Sequence, residues 1–119
     1  MKPRVKVWLE VDGEYVFGFG MSEILKAVRA AGSIKAAAER LGKSYRHVWA
    51  RIKEAEQALG EPLVHTRVGG QGTSRSSLTE RATRLVEDYD ALRRRMFEVV
   101  REEFSSRLAA LSRSRPSRR

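Results

Sequence analysis

The stretch that decides the fold is Ser33–Gly60, which reads SIKAAAERLGKSYRHVWARIKEAEQALG. Ser33 and Ser44 each precede a run with apolar residues at helical spacing, and a serine in that place caps the first turn of a helix. Gly42 and Gly60 follow the two runs, where glycine commonly ends a helix. The stretch therefore predicts two short helices joined by a tight turn, a helix-turn-helix.

The second of these helices, predicted over 44–59, has a basic outer side. Between Lys43 and Lys53 the chain has four Lys or Arg residues and no acid. A face of that kind suits the major groove of DNA, which is lined by phosphates and by acceptors on the base edges. Lysines and arginines on a helix usually form only a solvated surface. This face follows directly after a short helix and a turn, and that position favours a DNA-binding surface over a merely solvated one.

A glycine-rich hairpin is predicted after the basic helix, over residues 63–78. Two short apolar runs flank the polar loop 69–74, with Arg67 and Arg75 near its ends. Glycines allow backbone N–H groups to come close to phosphate, and arginine can enter a minor groove. This hairpin has the position and the chemistry of a wing. The loop lacks the Gly-Lys-Ser/Thr ending of a nucleotide-binding loop and opens no helix.

The remaining chain supplies three predicted elements. Alternating apolar residues over 5–11 and the turn at 12–14 predict an N-terminal hairpin. Ser22 is expected to cap a helix that ends at Gly32. Thr79 is expected to cap a long final helix whose apolar positions run to Leu111. The rest of so short a chain is too small to cover the apolar side of a helix of more than about 25 residues. The part of this apolar stripe that stays exposed therefore predicts a homodimer interface.

The composition of the chain limits the classes of protein to which it can belong. The chain has 119 residues, no cysteine and a formal net charge of +9, with a pI of about 10.6. Residues 21–60 have eight bases against four acids, and residues 101–119 have six against two. We expect one domain over 1–112 and a disordered basic tail over 113–119. No apolar run reaches the ~20 residues of a membrane span, and no signal peptide is recognised, so the expected location is cytoplasmic.

Several motifs together resemble a known family. They are GSI at 32–34, the pattern SYR-x-x-W-x-x-I at 44–52, and GGQG at 69–72 followed by Leu78-Thr79. Over roughly residues 20–100 the chain resembles the N-terminal DNA-binding domain of ModE-type molybdenum-transport regulators, and more loosely the LysR-type regulators. The resemblance implies a winged-helix dimer built on its long terminal helix. ModE-type regulators continue into oxyanion-binding domains that are not matched here, so no oxyanion ligand is expected.

The sequence therefore predicts a mainly α fold with a small β component, a winged helix-turn-helix plus a long C-terminal dimerisation helix. The expected function is sequence-specific binding of double-stranded DNA as a homodimeric transcriptional regulator. The alternatives are a nonspecific architectural DNA-binding protein and a protein-binding adaptor. An enzyme is not expected, because the chain has no cysteine, no clustered histidines and no recognisable carboxylate pair. No metal or cofactor is expected, since His47 and His65 stand alone.

Individual residues receive roles from this prediction. Arg46 is the best candidate for a guanine edge, Tyr45 suits a thymine methyl or a phosphate, and Trp49 is assigned to packing because it lies beside the core stripe. The predicted DNA contacts are Lys43, Ser44, Tyr45, Arg46, His47, Arg51, Arg67, Gln71, Thr73 and Arg75. The predicted dimer interface is Leu85, Tyr89, Leu92, Met96, Val100 and Phe104.

Overall fold

Two β-hairpins and four helices make up the fold in a computed structural model that describes residues 1–68, 74–108 and 110–111. In chain order the elements are β1 (Leu9–Val11), β2 (Glu14–Phe17), α1 (Phe19–Ala31), α2 (Ile34–Leu41), α3 (Tyr45–Leu59), β3 (Val64–Val68), β4 (Ser74–Leu78) and α4 (Glu80–Arg107). Each pair of strands forms its own two-stranded antiparallel sheet. The predicted fold class, mainly helical with a small β component, is confirmed.

Hydroxyl side chains cap three of the helices where the sequence predicts. The Oγ atoms of Ser33 and Ser44 accept hydrogen bonds from the backbone N–H groups of Ala36 and His47, each at 3.0 Å. Thr79 Oγ1 accepts from Ala82 N at 3.1 Å at the start of α4. Each bond satisfies one N–H that a helix start leaves without a partner, so these three boundaries follow from local chemistry alone.

The start of α1 differs from the prediction. The helix begins at Phe19 after Gly18, which provides no side-chain cap. Ser22 is fully buried inside the helix, and its hydroxyl donates a hydrogen bond to Asp90 Oδ1 at 3.3 Å. The prediction that Ser22 caps α1 was wrong because its partner is a residue of α4, 68 positions away.

A second contact on Asp90 ties α1 to α4. Lys26 Nζ lies 2.7 Å from Asp90 Oδ2, with both side chains about one-third exposed. The Asp90 carboxylate raises the pKa of Lys26 above its usual value of 10.5, because it stabilises the protonated amine by hydrogen bonding and charge. Asp90 thus joins a buried hydroxyl and an ammonium group of α1 to one point of α4.

The N-terminal hairpin is shorter than predicted. Its turn, Asp12-Gly13, has positive φ at both residues, 53° and 79°, which matches the tight turn that joins two twisted strands. Only Leu9–Val11 pairs with β2, since β2 ends at Phe17 just before α1. Val5 and Val7 remain half-buried beside exposed Lys6, so the period-two burial extends further than the hydrogen-bonded strand.

One core joins the helices and the hairpins. Buried apolar residues come from β2, α1, α2, α3, β3 and the first third of α4. Phe17 and Tyr89 meet edge to face with ring centroids 5.2 Å apart, and the Tyr89 hydroxyl donates to the Val7 carbonyl at 2.7 Å. Burial raises the pKa of Tyr89, since the tyrosinate form would lose its hydration.

Tyr89 corrects the predicted dimer interface. Its side chain is only 2% exposed within one chain, so it belongs to the monomer core and cannot contact a second copy. The helical periodicity placed it on the apolar stripe correctly, but the N-terminal segment covers that position. Leu92 is 40% exposed, whereas Leu85, Met96, Val100 and Phe104 are half-buried.

Candidate nucleic-acid interface

The turn between α2 and α3 fixes the direction of α3. Gly42 has a left-handed φ of 68°, and Lys43 N donates to the Ala38 carbonyl at 3.0 Å. This is the hydrogen-bonded helix ending that a C-terminal glycine permits. Burial of Val48 and Ile52 in the core then leaves the other side of α3 in solvent. The turn and the core stripe together expose the first two turns of α3.

Predicted contact residues cluster at the exposed N-terminal end of α3. The residues from Lys43 to His47 are all exposed. Within the described ranges, neither Lys43 nor Arg46 has an ion pair. The cap leaves the N–H groups of Tyr45 and Arg46 without helical acceptors, so the positive end of the helix dipole adds to these charges. The end of α3 is therefore a surface suited to anions.

Arg51 does not belong to this free surface. Its guanidinium lies 5.7 Å from the ring centroid of Tyr15 and 4.0 Å from Glu54 Oε1. The side chain therefore contacts β2 and a carboxylate of its own helix. The N-terminal hairpin packs along this flank of α3, a contact that the helical periodicity of α3 alone cannot reveal, and the DNA contact of Arg51 stays a prediction.

Trp49 is the residue that sequence reasoning missed. It was assigned to packing, but its side chain is 43% exposed. Lys53 Nζ lies 5.6 Å from the indole centroid, an attractive cation–π arrangement. The sequence feature that could have indicated its exposure is its spacing of four residues from Tyr45, which is also exposed. Its nearness to the core stripe of α3 was misleading.

The wing brings two arginines together. Strands β3 and β4 pair with Arg67 directly opposite Arg75, so the two side chains lie on the same face of the hairpin. Both are exposed, and neither forms an ion pair with a residue in the described part of the chain. The predicted contacts Gln71 and Thr73, and the glycines at 69, 70 and 72, lie outside the described residues.

Three hydrogen bonds hold the wing against the helices. Ser76 N donates to the Gly32 carbonyl at 2.8 Å, which attaches β4 to the end of α1. Glu56 Oε2 accepts from Leu63 N at 2.8 Å and from Val64 N at 3.2 Å, which attaches the start of β3 to α3. The Glu56 carboxylate therefore holds the start of the wing against α3, and the Gly32 carbonyl holds β4 against the end of α1.

Other kinds of site receive no support from the described residues. No group of three or more His, Cys, Asp or Glu side chains there could hold a metal ion. None of the described helices is long and apolar enough to cross a membrane.

A three-helix unit with a tight turn before its basic third helix, followed by a two-stranded wing, defines a winged helix-turn-helix domain. Residues 21–83 match the family model described as bacterial regulatory helix-turn-helix protein, lysR family. The chain belongs to this family. The matched segment begins near the start of α1 and ends in the first turn of α4, so it contains the whole candidate interface.

Several curated relatives are ModE proteins, and the ModE-type resemblance is confirmed. The chain is 34% identical over 97 residues to the DNA-binding transcriptional dual regulator ModE of Escherichia coli (strain K12). That alignment covers 76% of this chain and 37% of the relative, so the chain spans little more than a third of that protein's length. The molybdenum transport protein ModE of Herbaspirillum seropedicae is 32% identical, with 75% and 34% covered.

A solved DNA complex shares the fold. The crystal structure of the CbnR DNA-binding domain with DNA matches with a TM-score of 0.52 and 29% identity. The match covers 79% of this chain and 99% of that one. ArgP from Mycobacterium tuberculosis matches with a TM-score of 0.52 and 28% identity, covering 71% of this chain and 30% of that one. The family model and the ModE of E. coli are both described as regulatory proteins.

Proposed function

We propose that this protein binds double-stranded DNA in a sequence-specific manner, as a homodimer, and regulates transcription. The observation that carries the proposal is the presence of exposed basic side chains on two neighbouring elements, α3 and the wing. Lys43 and Arg46 lie at the N-terminal end of α3 without an ion pair to any described residue, and Arg67 and Arg75 lie side by side on the wing. Helix α3 enters the major groove, and the wing meets the adjacent backbone or minor groove.

Each side chain has a role that its chemistry supports. Arg46 makes two hydrogen bonds to a guanine edge, since its planar guanidinium matches the O6 and N7 acceptors. Lys43, Ser44, His47 and the first free N–H groups of α3 contact phosphates and set the register. Arg67 and Arg75 neutralise phosphates beside the groove or enter the minor groove.

The proposed dimer forms through α4. This helix is 28 residues long, and only its first third contributes to the core, where Ala82, Val86 and Tyr89 are buried. Leu92 is 40% exposed in the isolated chain. Pairing of this helix with the same helix of a second copy would cover Leu92 and its half-buried neighbours. Two copies of α3 would then read half-sites about 34–36 Å apart, one turn of the duplex.

The known activities in the names of similar proteins support the proposal. ModE of E. coli is described as a DNA-binding dual regulator, and the CbnR domain was solved in complex with DNA. The segment aligned with each of them includes the helix-turn-helix that carries the proposed contacts. Sequence reading by base-edge contacts is favoured over purely architectural binding because exposed side chains that suit base edges stand at the end of α3.

Selection of random duplex DNA by the purified protein at about 150 mM salt tests the proposal, since phosphate binding without base contacts is weak at that salt. We expect enrichment of a palindrome with half-sites about one helical turn apart. Recovery of DNA without a shared motif would favour an architectural protein. Failure to recover any DNA would contradict DNA binding and favour a protein partner.

A further inference from the structure

Two large aromatic side chains lie in solvent on α3. Tyr45 is 52% exposed and Trp49 is 43% exposed. They are four residues apart, so they occupy the same side of the helix, one turn above the other. Large aromatic side chains gain free energy by burial, and tryptophan is highly buried on average. A tryptophan exposed in the middle of a basic helix is therefore suited to contact with a partner.

The position of Trp49 relative to the wing follows from the helix repeat. Glu56 is seven residues further along α3 and shares the side of Trp49. Because Glu56 accepts hydrogen bonds from the start of β3, this side of α3 faces the wing. Trp49 therefore lies on the flank of α3 between Arg46 and the wing, within the surface proposed to meet DNA.

A neighbouring lysine orients the indole ring. Lys53 Nζ lies 3.2 Å from Glu56 Oε1 and 5.6 Å from the Trp49 centroid, so one ammonium contacts both side chains. The indole N–H of Trp49 has no acceptor among the described residues. By contrast, the indole N–H of Trp8 donates to Glu10 at 2.8 Å. Trp49 thus offers an apolar ring and an indole N–H at the surface, and its neighbours limit its orientation.

We propose that Trp49 is a specificity-determining residue that reads thymine through its 5-methyl group. The thymine methyl is the apolar group that the base pairs present in the major groove, and contact with an apolar side chain distinguishes thymine from other bases. Stacking on a base would require unstacking of the duplex, whereas contact at the methyl leaves the duplex intact. This inference rests on the proposed function, because it needs α3 in the major groove.

Uracil substitution isolates this contact. Replacing each conserved thymine of the selected duplex by uracil removes one methyl and leaves every hydrogen-bonding group in place. For the wild-type protein we expect about a three- to tenfold loss of affinity at one position of each half-site, the effect of losing one buried methyl. For Trp49→Ala we expect weaker binding overall and equal affinity for the thymine and uracil duplexes at that position.

Trp8→Phe provides the matched control. Trp8 is the only other tryptophan, and it is 49% exposed on the N-terminal segment, outside the proposed interface. This variant should discriminate thymine from uracil as the wild type does. It also leaves Trp49 as the single tryptophan, whose emission, excited at a wavelength that tyrosine does not absorb, should change more on the thymine duplex than on the uracil duplex. The temperature of thermal unfolding should be similar for the wild type, Trp49→Ala and Trp8→Phe, since neither indole ring is in the core.

The results separate this inference from the proposed function. Specific binding that no uracil substitution weakens would overturn the role of Trp49 and leave the regulator proposal intact. Persistence of the thymine preference in Trp49→Ala would assign the methyl contact to another residue and also overturn it. Absence of specific DNA binding by the wild type would overturn both.

Discussion

Arg46 and Arg75 are both exposed arginines, and the proposed function assigns them different roles. Arg46 stands in the first turn of α3, and Arg75 stands on the wing opposite a second arginine. Arg46→Ala should lose about 1–3 kcal/mol of binding free energy and relax discrimination at one base pair. Titration of duplexes with single base-pair changes measures this loss.

Arg75→Ala should weaken binding to all duplexes by a similar factor, because a phosphate contact carries no sequence information. The slope of log affinity against log salt should become shallower by about 0.9, the value for one phosphate. The same set of duplexes at several salt concentrations measures both quantities. Identical profiles for Arg46→Ala and Arg75→Ala would contradict this division of roles.

Lys26 makes a pH-dependent contribution to stability. Its pKa is raised above 10.5 in the folded protein, chiefly by the hydrogen bond to Asp90. A raised pKa stabilises the folded state below pH 10.5, and the contribution disappears as pH rises through the folded-state value. Lys26→Met should lower the free energy of unfolding by about 0.5–1 kcal/mol at pH 7, since the pair is partly exposed.

Urea unfolding of both proteins at pH 7 and at pH 11 or above tests the role of Lys26. The difference between wild type and Lys26→Met should shrink at the higher pH. The pKa of Tyr89 is raised by burial and lowered by the nearby charge of Lys26, so both proteins should also be compared in a Tyr89→Phe background, which removes this coupled titration. A difference that stays constant with pH would mean that the methionine acts through packing and not through loss of the charge.

At the scale of elements, one carboxylate attaches the wing to α3. Glu56 accepts both N–H bonds from the start of β3 and is only 13% exposed at its side chain. Glu56→Ala should cost about 1–3 kcal/mol of folding stability, because the N–H groups of buried residues lose their acceptor. Amide hydrogen exchange at Leu63 and Val64 should become faster than in the wild type.

Glu54→Ala is the matched control for the wing prediction. Glu54 is on the same helix, but its side chain is 70% exposed and pairs only loosely with Arg51. Its loss should change stability by no more than about 0.5 kcal/mol and leave exchange in β3 unchanged. Equal effects of Glu54→Ala and Glu56→Ala would show that charge, and not the hydrogen bonds to β3, holds the wing.

At the scale of the whole molecule, the part of α4 beyond Tyr89 is the proposed dimer interface. Leu92 and Met96 lie on α4 beyond its last buried residue, Tyr89. Replacing both by Glu should dissociate the proposed dimer, because two carboxylates on each copy would have to leave water where the helices meet. Sedimentation equilibrium should then give the monomer mass, 13.5 kDa, instead of twice that value.

Arg94→Glu controls for charge in the dimer experiment. It changes the net charge by the same amount, −2, at an exposed position of α4 between the two tested residues. This variant should remain dimeric if the helix pairs through Leu92 and Met96. An unchanged mass for the double Glu variant would place any interface elsewhere on the molecule.

The sequence by itself determined the features that depend on neighbours along the chain. Ser33, Ser44 and Thr79 cap the predicted helices because an N-cap hydroxyl reaches an N–H three residues away. Gly42 and Gly60 end α2 and α3 because they adopt positive φ at little cost. These local signals, with the basic run on α3, were enough to predict the winged helix-turn-helix.

Only the tertiary structure decided which side chains of those helices remain free. The N-terminal hairpin packs against α3 and α4, so it engages Arg51 through Tyr15 and buries Tyr89 beside Phe17. It does not cover Trp49, which stays exposed on the opposite flank of α3. Helical periodicity gives the angle at which a side chain projects around the helix axis. Which angles are covered depends on elements distant in sequence, and that is fixed only when the chain packs.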